Sequence, residues 1–170
     1  MTLPLPEPPA RTPRAGTEKE ILVAQLDDKR AVLLRKVSGL SEEDLRRIPT
    51  ASSLSLLGLL KHSAYVERWW FRRVFAGEDV FFPWTDDDPD ADFRPEPGET
   101  PEQIAALYHD EVERSRAIVA AADLDDEARA PRSGEPVNLR GILVHMIQEV
   151  ARHLGHADIL RETIDGATGD

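Results

Sequence analysis

The sequence predicts an all-α protein, a four-helix bundle with a long acidic loop between its second and third helices. Three observations predict it. Apolar residues recur at spacings of three, four and seven in four separate stretches, the signature of amphipathic helices. Leu, Ala, Glu and Arg dominate, and aromatic residues make up only 6% of the 170-residue chain, which suits helices better than sheets. No run of alternating apolar and polar residues is long enough for a strand. The length is that of one domain around one core.

Residues 1–16 carry Pro4, Pro6, Pro8, Pro9 and Pro13 and little periodic apolar surface, so a flexible tail is expected ahead of a bundle spanning 17–166. The first helix starts at Thr17, turns Ile21, Leu22, Leu26, Val32, Leu33 and Val37 inward, and ends at Ser38-Gly39. Ser41-Glu42-Glu43-Asp44 resembles a capping box opening a short helical turn, which Pro49 closes. The second helix runs from about residue 53 to 75, with Leu56, Leu59, Leu60, Val66, Trp70 and Val74 on one broad face. Residues 78–99 form the loop, with Phe81, Phe82 and Trp84 ahead of an acidic stretch over 85–99, read as a solvated lid. Thr100-Pro101-Glu102-Gln103 supplies an N-cap, a proline at the first helical position and a capping-box Gln, so the third helix starts there and reaches about Ala122. Asn138 caps the fourth helix, whose inward stripe of Ile142, Leu143, Met146, Ile147, Val150, Leu154, Ala157 and Leu160 lasts to about Arg161.

Composition excludes several function classes. With 32 acidic and 21 basic residues the formal charge is −11, which argues against nucleic acid and anionic membranes as partners and favours neutral, cationic or metallic ones. There is no cysteine, so the chain has no disulfide, no thiolate metal site and no nucleophilic thiol of its own; thiol chemistry would have to use an external thiol. No apolar run approaches the roughly 20 residues of a membrane span, and the N-terminus lacks the apolar core of a signal peptide, so a cytoplasmic location is expected.

Three of the five histidines (His145, His153 and His156) crowd the fourth helix beside Glu149. At about 100° per residue from Ile142, the apolar stripe spans roughly 0° to 140°, with His153 near 20° and Glu149 near 340°. His156, His145 and Arg152 fall near 320°, 300° and 280°, progressively farther out. Glu149 and His153 therefore face the bundle one turn apart, as two ligands of a single ion must. His62, at the border of the second helix's apolar face, completes a His, Glu, His set, while Glu67 lies deeper in that face. The residues alone leave a second possibility open, in which Glu149 pairs with Arg68 or Arg72 and His153 caps the core edge. His109 reads as a surface residue, and Trp69, Trp70 and Phe71 as core and subunit-contact residues. Asp86, Asp88 and Asp90 copy the first ligand positions of an EF-hand loop, but Ala91 and Pro97 stand where it needs Gly and Glu, so calcium binding is not expected. No Gly-rich phosphate loop and no G-x-S-x-G nucleophile turn is present.

Leu59-Leu60-Lys61-His62, Val66-Glu67-Arg68-Trp69-Trp70-Phe71, Leu143-Val144-His145-Met146-Ile147, Glu149-Val150-Ala151-Arg152-His153-Leu154-Gly155-His156-Ala157-Asp158 and Ile164-Asp165-Gly166 resemble, in order and spacing, the DinB-like superfamily. They are most similar to its actinobacterial branch of unknown function, the mini-circle-protein type. The resemblance implies a bundle of DinB type, with a divalent-metal site built from a histidine of the second helix and two ligands four residues apart on the last. Many members have two histidines in that final pair. Glu149 in the first position is similar to the His, Glu, His site of mycothiol-dependent maleylpyruvate isomerases. By that match His62, Glu149 and His153 are metal ligands, for zinc or alternatively nickel, and His156 stands where many relatives have glutamine. Related proteins include thiol S-transferases that use mycothiol, bacillithiol or glutathione. The implied activity is therefore a metal-dependent transfer of a small thiol to a small electrophile, by a homodimer, with His156 or His145 near the rim available for proton transfer. The alternative is a non-catalytic metal-binding or dimerising helical module.

Overall fold

The computed structural model describes residues 2–6, 13–131 and 134–169. Thr17 opens α1 (Glu18–Val37) with a capping box, its hydroxyl accepting from the Glu20 amide and the Glu20 carboxylate accepting from the Thr17 amide. Ser41 caps the short α2 (Glu42–Arg46). Ser55 caps α3 (Leu56–Glu67), which continues without a break into a π-helical segment, Arg68–Phe75. Thr100 and Gln103 form the capping box of α4 (Pro101–Ala120), with the expected proline at its start. Asn138 caps α5 (Leu139–Asp165), and Gly166, at φ 78°, ends it in the left-handed conformation that glycine adopts without strain.

Two boundaries differ from the sequence expectation. The second long helix begins at Leu56 and not near residue 53, because the Ser55 hydroxyl takes the Gly58 amide and fixes the first turn there. The last helix runs to Asp165 and not to Arg161, because Ile164, one turn after Leu160, carries the inward stripe on against the core before Gly166 ends it.

Pairing of α1 with α5 and of α3 with α4 makes the bundle, and α3 also touches α1 and α5. Leu33, Leu56, Leu60, Phe71, Leu139 and Met146 are among its fully enclosed side chains, each contributing on the order of 1.5–3 kcal/mol by leaving water. No strand forms among the described residues; a single bridge joins Glu127 and Asn138. No helix there is long and apolar enough to cross a membrane.

Residues 1 and 7–12 of the expected tail lie outside the described residues. Within residues 2–6, Leu3 is buried, the Gly39 amide donates to its carbonyl at 3.1 Å, and the Ser38 hydroxyl donates to the Pro4 carbonyl at 2.9 Å. One leucine supplies the apolar contact, and the end of α1 supplies the donors that the proline-rich backbone lacks.

Two acidic residues inside the bundle are held by arginines. Glu67 accepts both Arg30 Nε (2.8 Å) and Nη2 (2.6 Å), with the two residues 1% and 4% exposed. Glu111 takes Arg68 at 2.7 Å and Arg72 at 3.0 Å.

Candidate metal centre

His62 projects from α3, and Glu149 and His153 from consecutive turns of α5, into one place. Donor atoms of the three lie within 4.8 Å of one another, and theirs is the one group of three or more His, Asp or Glu found among the described residues that could hold a metal ion. His62 Nε2 is 3.6 Å and His153 Nε2 3.0 Å from Glu149 Oε1. The alternative pairing of Glu149 with Arg68 or Arg72 does not occur, because both guanidiniums are committed to Glu111. The arginine that does approach is Arg152, mostly exposed, at 3.8 Å.

His62 is oriented from behind. Its Nδ1 is 2.8 Å from Asp92 Oδ2, and its ring stacks on Phe93 at 3.8 Å between centroids. An ionised carboxylate only accepts, so in the neutral ring the proton sits on Nδ1 and the Nε2 lone pair points into the site. That Nε2 is buried and has no hydrogen-bond partner, and His153 Nδ1 is in the same condition. Buried polar atoms without partners are uncommon and unfavourable. Two imidazoles, one carboxylate and an unsatisfied lone pair aimed between them are what a zinc-type cation fits.

Asp92 and Phe93 were not singled out from the sequence. They lie in a three-residue 3₁₀ turn, Ala91–Phe93, inside the acidic loop, where Asp92 alone of the loop's acidic residues is buried. An Asp-Phe pair amid solvated acids was the available signal. The turn docks because α3 makes room for it. A Cβ at Gly58 would lie 2.2 Å from the Phe93 carbonyl oxygen, so the loop backbone can rest there only on glycine. Three and four residues on, along the same helix face, Lys61 donates to the Arg94 carbonyl (2.9 Å) and the Glu99 carboxylate (2.7 Å), and His62 meets Asp92. Ahead of this turn the acidic stretch is largely solvated, with Asp86, Asp87 and Asp90 exposed and Asp88 paired with Arg94.

The other histidines separate. His156 meets the edge of the His153 ring at 5.5 Å, and its Nδ1 is buried without a hydrogen-bond partner; His145 packs on Trp70 at 4.4 Å; His109 is exposed. The expectation for Trp69, Trp70 and Phe71 holds for Phe71, which is in the core. Trp69 and Trp70 are partly buried against the core and also line a cleft of about 380 Å³ together with His62 and Trp84. Both sit in the π-helical segment, whose wider winding departs from the 3.6-residue period on which the sequence reading rests. Phe82 and Trp84 pack on Trp69 at 5.3 and 6.0 Å, while Phe81 is exposed.

Burial works to raise the Glu149 carboxyl, but the His153 and His62 rings more than offset it and hold it below the ordinary glutamate range. Burial lowers His153 below the usual histidine value; His62 pushes the same way, and Glu149 opposes both. Both ligand candidates are thus biased toward their metal-binding, deprotonated forms.

A family model described as Mycothiol-S-transferase matches residues 21–166. The chain belongs to the mycothiol S-transferase family. This DinB-like family agrees with the helical bundle and implies a thiol partner. A crystal structure of a conserved protein from Enterococcus faecalis is similar in fold, with a TM-score of 0.64 and 16% identity, covering 90% of this chain and 100% of that one. No curated protein matches the sequence.

Proposed function

We propose that this member of the mycothiol S-transferase family is a metal-dependent enzyme that transfers a low-molecular-weight thiol such as mycothiol to a small electrophile. One observation carries the reading: the convergence of His62, Glu149 and His153 donor atoms within 4.8 Å, with His62 oriented by Asp92. Three donors from the described residues are one fewer than a closed structural zinc site uses, which supports an open, reactive site. When bound, a divalent cation, zinc or alternatively nickel, supplies the positive charge that favours thiolate over thiol near pH 7.

The chain's own residues do the rest. Asp92 accepts the Nδ1 proton of His62 and keeps its ring from turning, and Phe93 fixes the ring plane. Glu149 contributes the negative charge that a buried cation needs beside neutral imidazoles. His156, next to His153 and with an unpartnered buried Nδ1, is placed to accept the thiol proton. The sulfur then forms its bond to the electrophilic carbon, and the leaving group departs with its electron pair.

Protein loaded with Zn²⁺ or Ni²⁺ is expected to conjugate mycothiol to a bimane-type electrophile. A rate no greater than that of the His62→Ala variant, with mycothiol, bacillithiol and glutathione each tried, overturns the proposal.

A further inference from the structure

All three tryptophans of the chain, Trp69, Trp70 and Trp84, line one cleft that includes His62, with Phe93 beside them. Two of them are presented by the π-helical segment, a rare winding that recurs at functional sites. The ionisable groups of the lining, apart from His62, are the carboxylates of Asp90 and Asp92, and among the described residues no Lys or Arg contributes to it. Three cations of the flanking segments are paired with carboxylates: Arg94 with Asp88, Lys61 with Glu99 and Arg68 with Glu111.

We propose that this cleft is the electrophile subsite and that it selects planar aromatic electrophiles carrying no negative charge. The inference rests on the thiol-transfer reading above and adds its acceptor class. Indole faces take a flat ring by offset or edge contact, with an energy beyond that of area burial alone. The carboxylates disfavour a carboxylate or sulfonate on that ring and tolerate a neutral or cationic one. His62 belongs to both the cleft and the ligand group, so a ring stacked there lies beside the place where the thiol sulfur is activated.

The tryptophans make the test direct, because all the indole fluorescence comes from the cleft. Metal-free, thiol-free protein is titrated with 3,5-dinitrobenzamide and with 3,5-dinitrobenzoate, two quenchers of one shape that differ by a charge. Saturable quenching by the amide is expected, with the benzoate at least about tenfold weaker. That gap should narrow when salt is raised from 20 to 500 mM and again in Asp90→Asn. Trp84→Leu should weaken both ligands; the salt series on the unaltered protein reads the charge effect even if that variant folds poorly. Equal binding of the two probes, a gap indifferent to salt, or no saturable quenching overturns the inference. Because no thiol or metal is present, failed thiol transfer with intact selective binding sinks only the functional reading. Transfer to a non-aromatic acceptor without cleft binding sinks only this one.

Discussion

Two carboxylates of the same bundle, Glu67 buried and Glu149 half-buried, meet opposite surroundings. Glu67 is gripped on both oxygens by Arg30, which also reaches Asp27 at 2.8 Å, so the charges in this cluster have partners at hydrogen-bond distance. Glu149 meets two imidazoles, and two ring nitrogens of that group have no hydrogen-bond partner. The first arrangement is electrostatically closed and holds α1 to α3. The second is incomplete and fits a cation. A buried ionic group that satisfies itself is architecture, whereas one that leaves donors and lone pairs unsatisfied signals a ligand.

The contrast predicts a double dissociation. At the open site, His62→Ala or Glu149→Ala should remove bound metal and several kcal/mol of transition-state stabilisation, on the order of a thousandfold in turnover. The melting temperature of the metal-free form should fall far less than it does when the closed pair is broken. Metal analysis, turnover and calorimetry on the same samples check this, and a large loss of apo stability would erase the distinction. At the closed site, Arg30→Leu leaves Glu67 buried and uncompensated, which should cost about 3–5 kcal/mol of stability by denaturant titration. Metal content per folded molecule should stay unchanged.

A smaller effect separates the support of the open site from its ligands. Asp92→Asn keeps the shape of the loop turn but weakens its hold on the His62 proton, and should lower metal affinity by about 10–100-fold. Gly58→Ala should act in the same direction from a distance, because the new methyl group meets the Phe93 carbonyl and lifts the turn that carries Asp92. Competition with a metal-sensitive dye measures both. If Gly58→Ala binds metal normally, the docking of the loop is not what orients His62.

These regions were unequally legible in the sequence. Glu149 and His153 could be found because four-residue spacing on one helix is a local property, and Thr17, Thr100 and Asn138 announced their helices for the same reason. His62 could be placed at the edge of its helix's apolar face, but not brought to α5 without the resemblance to known bundles. Asp92 was invisible: its role depends on a loop folding back over 30 residues onto a glycine, and its neighbours Asp86, Asp88 and Asp90 drew the metal-loop test in its place. Arg30 was equally hidden, since a buried arginine reads as a surface one until its partner 37 residues away is known. The π-helical turn left no trace in a pattern read at 3.6 residues per turn, so that Trp69 and Trp70, which do pack against the core, also line a cleft was not legible.

The smallest expected effect concerns pH, and it too divides the two carboxylates. In metal-free protein His153 has a folded-state pKa below its ordinary 6.5, because burial and His62 disfavour the charged ring. Over the interval from 6.5 down to that lower value the unfolded chain binds more protons than the folded one, so acidification through it must erode stability. Glu149 is also lowered, so its contribution is present at neutral pH and is lost only as the pH falls further, through its own depressed value. Both shifts act in the same direction, with stability falling as the pH drops. At the closed pair, burial alone would lower Arg30, but Glu67 overcomes it and drives the guanidinium above its usual value, so its charge is constant over this range. The midpoint of thermal unfolding of the metal-free protein should therefore decline below pH 6.5. In His153→Gln, which keeps a polar side chain but cannot titrate, that first decline should flatten. A slope that persists unchanged in His153→Gln would assign the acid sensitivity to other groups and leave the open site no more pH-responsive than the closed one.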